Sequence, residues 1–191
     1  MQSQQFEAAQ ALIKIFCDPP GETLLKSKGM QPASRAEYDA MLVLQTLYFE
    51  DLSIGMAERL TKTVASSDVV GFAEVTGDRN PIHLSEHFAA KTAFGTRIAH
   101  GLYTASLISA VLGTRLPGPG AVYISQTLNF RAPVRIGDTV EVEVTVTELI
   151  AKKLRARLAC TCMVEGEIVL DGEAWVKVPS NKADGRPMPR L

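Results

Sequence analysis

Residues 98–112 read Ile-Ala-His-Gly-Leu-Tyr-Thr-Ala-Ser-Leu-Ile-Ser-Ala-Val-Leu. On a helical wheel the apolar side chains go almost all the way round, as a buried helix requires. Gly113 and the run Pro117-Gly118-Pro119-Gly120 close the segment. Beyond residue 120 the chain reads as strand only. Residues 138–150 alternate strictly, with Val140, Val142, Val144 and Val146 facing one way and Glu141, Glu143, Thr145 and Thr147 the other. Residues 122–130, 154–164 and 168–178 are three further strand candidates, and Gly137-Asp138 and Glu165-Gly166 are turn signals between them. One very apolar helix followed by long antiparallel strands is an α+β pattern. A sheet wrapped around the helix is one compact way to bury both.

Working outward from that segment, residues 59–65 form a short strand candidate. Ser67 or Asp68 can N-cap a helix through Phe72 and Val75, which Gly77 ends. A short helix over 86–91 is also expected. Residues 1–47 have a different texture. Phe6, Ala9, Leu12, Ile13 and Phe16 form an amphipathic stripe stopped by Asp18-Pro19-Pro20-Gly21, and a second helix is expected over 36–47. The expected organisation is a helical extension over 1–47, capping the domain or a dimer, one domain over 48–179, and a tail over 180–191.

Lys and Arg number 20 against 21 Asp and Glu, a balance that gives no reason to expect nucleic acid or an anionic membrane as partner. No apolar run approaches the ~20 residues of a membrane helix. The N-terminus lacks the basic and apolar regions of a signal peptide, so the cytoplasm is the expected compartment. Cys17, Cys160 and Cys162 show no metal-ligand spacing and read as free thiols. Cys160 and Cys162 should share one strand face.

Asp78 and His83 lie five apart in a loop punctuated by Pro81. A carboxylate and an imidazole that converge can shuttle a proton to and from a reacting group. The same spacing equally suits a turn aspartate and a satisfied histidine. His100-Gly101 stands near the start of the apolar helix, where unpaired N–H groups and the positive dipole end lie. A glycine there either admits a ligand carbonyl to the backbone or only relieves crowding. Ser109 lies two turns further on, where a serine usually bonds its own helix. His87 reads as exposed, and Arg79, Arg97, Arg131 and Arg135 as solvated residues capable of holding phosphate.

Taken together, these blocks resemble one family. The stretch Phe72-Ala73-Glu74-Val75-Thr76-Gly77-Asp78-Arg79-Asn80-Pro81-Ile82-His83 resembles the hydratase signature of the MaoC-like family, which includes the (R)-specific enoyl-CoA hydratases. Two more blocks match in order: Ala93-Phe94 through Ile98-Ala99-His100-Gly101-Leu102, and Tyr123-Ile124-Ser125-Gln126-Thr127-Leu128-Asn129-Phe130 with Ala132-Pro133-Val134 after it. The resemblance covers about residues 48–178. It implies a hot-dog fold, an antiparallel sheet around a long central helix, and a homodimer. It implies Asp78 and His83 as the catalytic pair and the Gly101 N–H as oxyanion donor. Asn80 would support the loop and Ser109 would lie near the acyl site. The implied substrate is an acyl-CoA thioester, with no metal and no cofactor beyond the coenzyme A it carries. His100, Leu102, Tyr103 and Leu112, with Ser106, are the supporting or acyl-facing candidates. Two alternatives belong to other classes: a hot-dog thioesterase, and a non-catalytic acyl-CoA-binding protein.

Overall fold

The computed structural model describes residues 44 and 46–182. The stripe from Phe6 to Phe16, most of the second helix, Cys17 and the end of the tail lie outside the described residues. Leu44, Thr46 and Leu47, the described part of the expected second helix, are not helical.

The chain enters through a 3-10 turn, Phe49–Asp51, whose Asp51 carboxylate accepts the Tyr48 N–H at 2.8 Å. Strand β1 (Ala57–Thr63) is followed by helix α1 (Ser66–Thr76). Its N-cap is Ala65, two to three residues earlier than the side chains expected to cap it. Asp68 still performs the capping chemistry from the first turn, accepting the Ala65 N–H at 2.8 Å. Two short helices come next, α2 (Pro81–Leu84) and α3 (Glu86–Ala89). Helix α4 spans Gly101–Thr114. Ile98 is not part of it and makes an isolated bridge to Arg135.

The remaining strands are β2 (Val122–Gln126), β3 (Asn129–Phe130), β4 (Thr139–Ile150), β5 (Arg155–Val164) and β6 (Glu167–Lys177). They form one antiparallel sheet in the order β1-β4-β5-β6-β2, with β3 also paired to β6. The valines of β4 are buried and the intervening Glu and Thr residues are not, so the period-2 pattern marks the core face correctly. Cys160 and Cys162 alternate inward with Ala156 and Leu158 on β5, and both are free. Burial pushes their thiols up to about 11 and about 12, so they act as small apolar side chains.

The expected single strand over 122–130 is broken at Thr127 and Leu128. Opposite the break, on β6, a Cβ on Gly172 would stand 1.9 Å from the Thr127 carbonyl oxygen. Glycine at 172 therefore lets the chain lean onto the sheet between β2 and β3.

Helix α4 packs on β1, β4 and β5. Tyr103, Thr104, Leu107, Ile108, Val111 and Leu112 are its buried residues, and the apolar ones join the core that the sheet curves around. Each such aliphatic side chain contributes about 1.5–3 kcal/mol by leaving water. The opposite face of α4 is bare in the single chain, with Leu102 at 60% exposure and Ser106, Ser109 and Ala110 also exposed. The helix is thus buried along one side, not all round. The near-continuous apolar wheel hides this because alanine, glycine and serine populate the bare side.

Candidate active site

Gly77 ends α1 in the left-handed conformation, with φ at 78°, and turns the chain into the loop that carries Asp78. Local side-chain-to-backbone bonds then set that loop. Thr76 Oγ1 accepts the Asp78 N–H, Asp78 Oδ1 accepts the Asn80 N–H, and Asn80 Oδ1 accepts the Ile82 N–H, each at 3.2 Å. Asn80 is thereby the N-cap of α2, with Pro81 at the first helical position, where its missing N–H costs nothing. His83 comes two residues later, and it is buried while Asp78 is exposed.

The His83 ring is oriented by the backbone. Its Nδ1–H donates to the Ile98 carbonyl at 2.9 Å, which leaves Nε2 as the acceptor of the neutral imidazole. His100 is 2% exposed, and its Nε2–H donates to the Asp78 carbonyl at 3.0 Å. The two imidazoles lie against each other, with centroids 3.8 Å apart and planes 31° apart. Side-chain donor atoms of Asp78, His83 and His100 all fall within 4.8 Å of one another. Burial holds the His83 imidazole below its ordinary value, and the neighbouring His100 ring adds to this. The Ile98 hydrogen bond and the Asp78 carboxylate pull the other way.

Gly101, next to His100 in the chain, is the first residue of α4, so its N–H has no intrahelical partner. Phe130 covers this glycine: a Cβ at 101 would lie 2.8 Å from the Phe130 ring. Beside them opens a pocket of about 300 Å3, lined by Phe94, Ile98, Gly101, Thr104, Phe130 and Val169 among others. One wall of the pocket is therefore Ile98, whose carbonyl holds His83.

The structure thus brings Asp78, His83, Asn80, His100 and Gly101 together. It divides the stripe expected to face an acyl chain. Leu102, Ser106 and Ser109 share the bare side of α4, whereas Tyr103 and Leu112 enter the core at 7% and 2% exposure. Helical spacing requires that split, since 102, 106 and 109 follow i, i+4, i+7 while 103 and 112 fall on other rows. Tyr103 instead donates its hydroxyl to Asp68 Oδ2 at 3.2 Å, tying α4 to α1, and burial raises its pKa to about 12.

Among the arginines, Arg97 pairs with Glu86 and Arg131 with Asp171. His87 is exposed beside Lys91. Sequence reasoning misses the Ile98 carbonyl and Phe130. A backbone acceptor carries no residue signature. For Phe130 the signals are its place at the end of the family-like block 123–130 and a large aromatic residue in a strand far along the chain from the glycine it covers.

The model of the family described as MaoC like domain matches residues 53–165. The 3-hydroxybutyryl-CoA dehydratase of Methylorubrum extorquens is 78% identical over 139 residues, 73% of this chain and 88% of that protein. The (R)-specific enoyl-CoA hydratase of Rhodospirillum rubrum is 53% identical over 70% of this chain and 92% of that protein. The solved structure of the (R)-hydratase from A. caviae involved in PHA biosynthesis superposes with a TM-score of 0.67 at 43% identity, covering 68% of this chain and 99% of that one. A curved antiparallel sheet around one long helix is the hot-dog fold. With the family model spanning more than half of the chain and the fold in agreement, the chain belongs to the MaoC-like family of hot-dog proteins.

Proposed function

We propose that the chain is an (R)-specific enoyl-CoA hydratase, adding water reversibly to a trans-2-enoyl-CoA to give an (R)-3-hydroxyacyl-CoA. The observation that carries the reading is a neutral, backbone-held His83 beside Asp78, next to the open N-terminus of α4. Relatives carrying (R)-specific enoyl-CoA hydratase names at 53% and 43% identity support the same reaction.

In this reading the His83 Nε2 takes a proton from a water that Asp78 helps to hold. The water oxygen bonds to the β-carbon, and the electron pair of the double bond moves toward the thioester oxygen. The Gly101 N–H and the positive end of α4 face that charge. Such a donor is worth on the order of 3 kcal/mol. The Asp78/His83 pair then returns a proton to the α-carbon, so water is added and the enzyme is unchanged. All acid–base steps fall to side chains of this chain, and coenzyme A enters as part of the substrate.

The same reading places the enzyme in the cytoplasm as a homodimer. Among the described residues no helix is long and apolar enough to cross a membrane. The outer strand β2 exposes Val122, Tyr123 and Ile124, and α4 exposes Leu102, apolar surface suited to a second copy.

The test is a panel of enoyl-CoAs from four to twelve carbons, followed by loss of the enoyl absorbance and by chiral analysis of the product. Release of free coenzyme A with no hydroxyacyl product would instead identify a thioesterase. Binding without turnover would identify a carrier.

A further inference from the structure

His100 occupies the N-cap of α4, a position favoured by Ser, Thr, Asp and Asn because their side chains can bond the first helical N–H groups. The His100 side chain makes no such bond. It turns away from its own helix and reaches 22 residues back to the Asp78 carbonyl. One face of its ring rests on His83, and the Phe72 ring of α1 lies 5.0 Å away at 50°. Because Nε2 donates to a carbonyl, Nε2 carries the proton and Nδ1 is a bare acceptor. That Nδ1 is buried and has no partner among the described residues. A buried acceptor left unpaired is costly, and an apolar ring of the same shape would remove the cost. Packing alone therefore argues against histidine here.

We propose that His100 is the positioning residue of the site, fixing the Asp78 backbone through its Nε2–H and holding the His83 imidazole in place through ring contact. This rests on the hydratase reading of Asp78 and His83 and extends it. The groups facing His83 are Asp78 from the preceding loop, His100 from the N-cap of α4 and the Ile98 carbonyl, while α1 presents the uncharged Phe72 to His100.

Two substitutions separate its two contacts. His100→Phe keeps a ring against His83 and loses the donor to Asp78. His100→Gln keeps an N–H donor at about the same reach and loses the ring. The chain has three histidines, so ring-proton NMR can follow His83 with exposed His87 as reference. In His100→Phe, kcat on crotonyl-CoA should fall by on the order of 10²-fold, the cost of a displaced reacting group, with KM little changed and the melting temperature level or higher. In His100→Gln, part of kcat should return. The acid limb of kcat/KM and the His83 titration should both move up toward the ordinary histidine value of 6.5, because water enters where the ring stood.

Wild-type kcat in both variants, or identical His83 titration in all three proteins, overturns the proposal. So does a lower melting temperature with unchanged kcat per folded molecule, which would mark His100 as structural only. If His100→Phe does not fold, His100→Gln carries the test alone. Should the wild-type chain hydrate no enoyl thioester, the hydratase reading falls by itself, and the His83 titration still decides whether His100 positions that ring.

Discussion

Gly172→Ala tests how the sheet positions the site. The added Cβ would stand 1.9 Å from the Thr127 carbonyl oxygen and 2.7 Å from its carbonyl carbon, both backbone atoms that no rotamer change can remove. The linker between β2 and β3 must therefore lift off β6 by more than an ångström, since ordinary carbon–oxygen contacts lie near ~3.3 Å. Two hydrogen bonds anchor that linker beside Gly172: the Thr127 N–H donates to the Glu173 carbonyl, and the Glu173 N–H donates to Thr127 Oγ1, both at 2.9 Å. Losing both costs about 1–3 kcal/mol. Residual overpacking adds roughly 1–3 kcal/mol. The expected loss is about 2–6 kcal/mol, or a fall in Tm of roughly 5–20 °C for a chain of this size. Urea unfolding followed by circular dichroism measures it, with Gly113→Ala as control because a Cβ there meets nothing within 4 Å. The linker leads straight into Phe130, which covers Gly101, so activity per folded molecule should fall as well. A destabilisation below ~1 kcal/mol at Gly172, with Gly113→Ala comparable, would refute the close-approach argument.

Three further outcomes are expected. Asp78→Asn and His83→Ala should each lower kcat by at least ~100-fold, as measured on crotonyl-CoA, with little change in Tm for the exposed Asp78 and a lower Tm for the buried His83; near wild-type turnover per folded molecule in either would remove that residue from the mechanism. Because His83 is held below its ordinary value of 6.5, kcat/KM should keep its base form to a lower pH than a free histidine allows. The linked stability has a definite sign: below 6.5 the unfolded chain binds the proton that the folded chain refuses, so His83 favours folding fully above 6.5 and progressively less as pH falls toward its lowered folded value. Urea titrations across that window in wild type and His83→Ala read this difference. Gly101→Ala should fold, because the half-exposed Phe130 ring can swing outward and alanine suits a helix better than glycine. Its kcat should nevertheless drop by about 10²-fold as the methyl and the displaced ring crowd the N–H meant for the thioester oxygen; an unchanged kcat would separate Gly101 from that role.

Much of the molecule is legible from local order alone. The valines of β4 announce their face because the strand period is two and one side meets the core. Gly77, Asn80 and Pro81 announce a loop into a short helix because each acts on its immediate neighbours, and that loop carries Asp78 and His83 within five residues. Tertiary structure decides what depends on residues distant along the chain. It brings His100 back onto Asp78, gives His83 the Ile98 carbonyl, and lays Phe130 over Gly101. It breaks one expected strand in two at Gly172, and it sends Tyr103 into the core while leaving Leu102 bare. A sequence records periodicity and turn chemistry because these are short-range. Which backbone carbonyl meets an imidazole, and which side of a uniformly apolar helix meets the sheet, are settled only when the whole core packs.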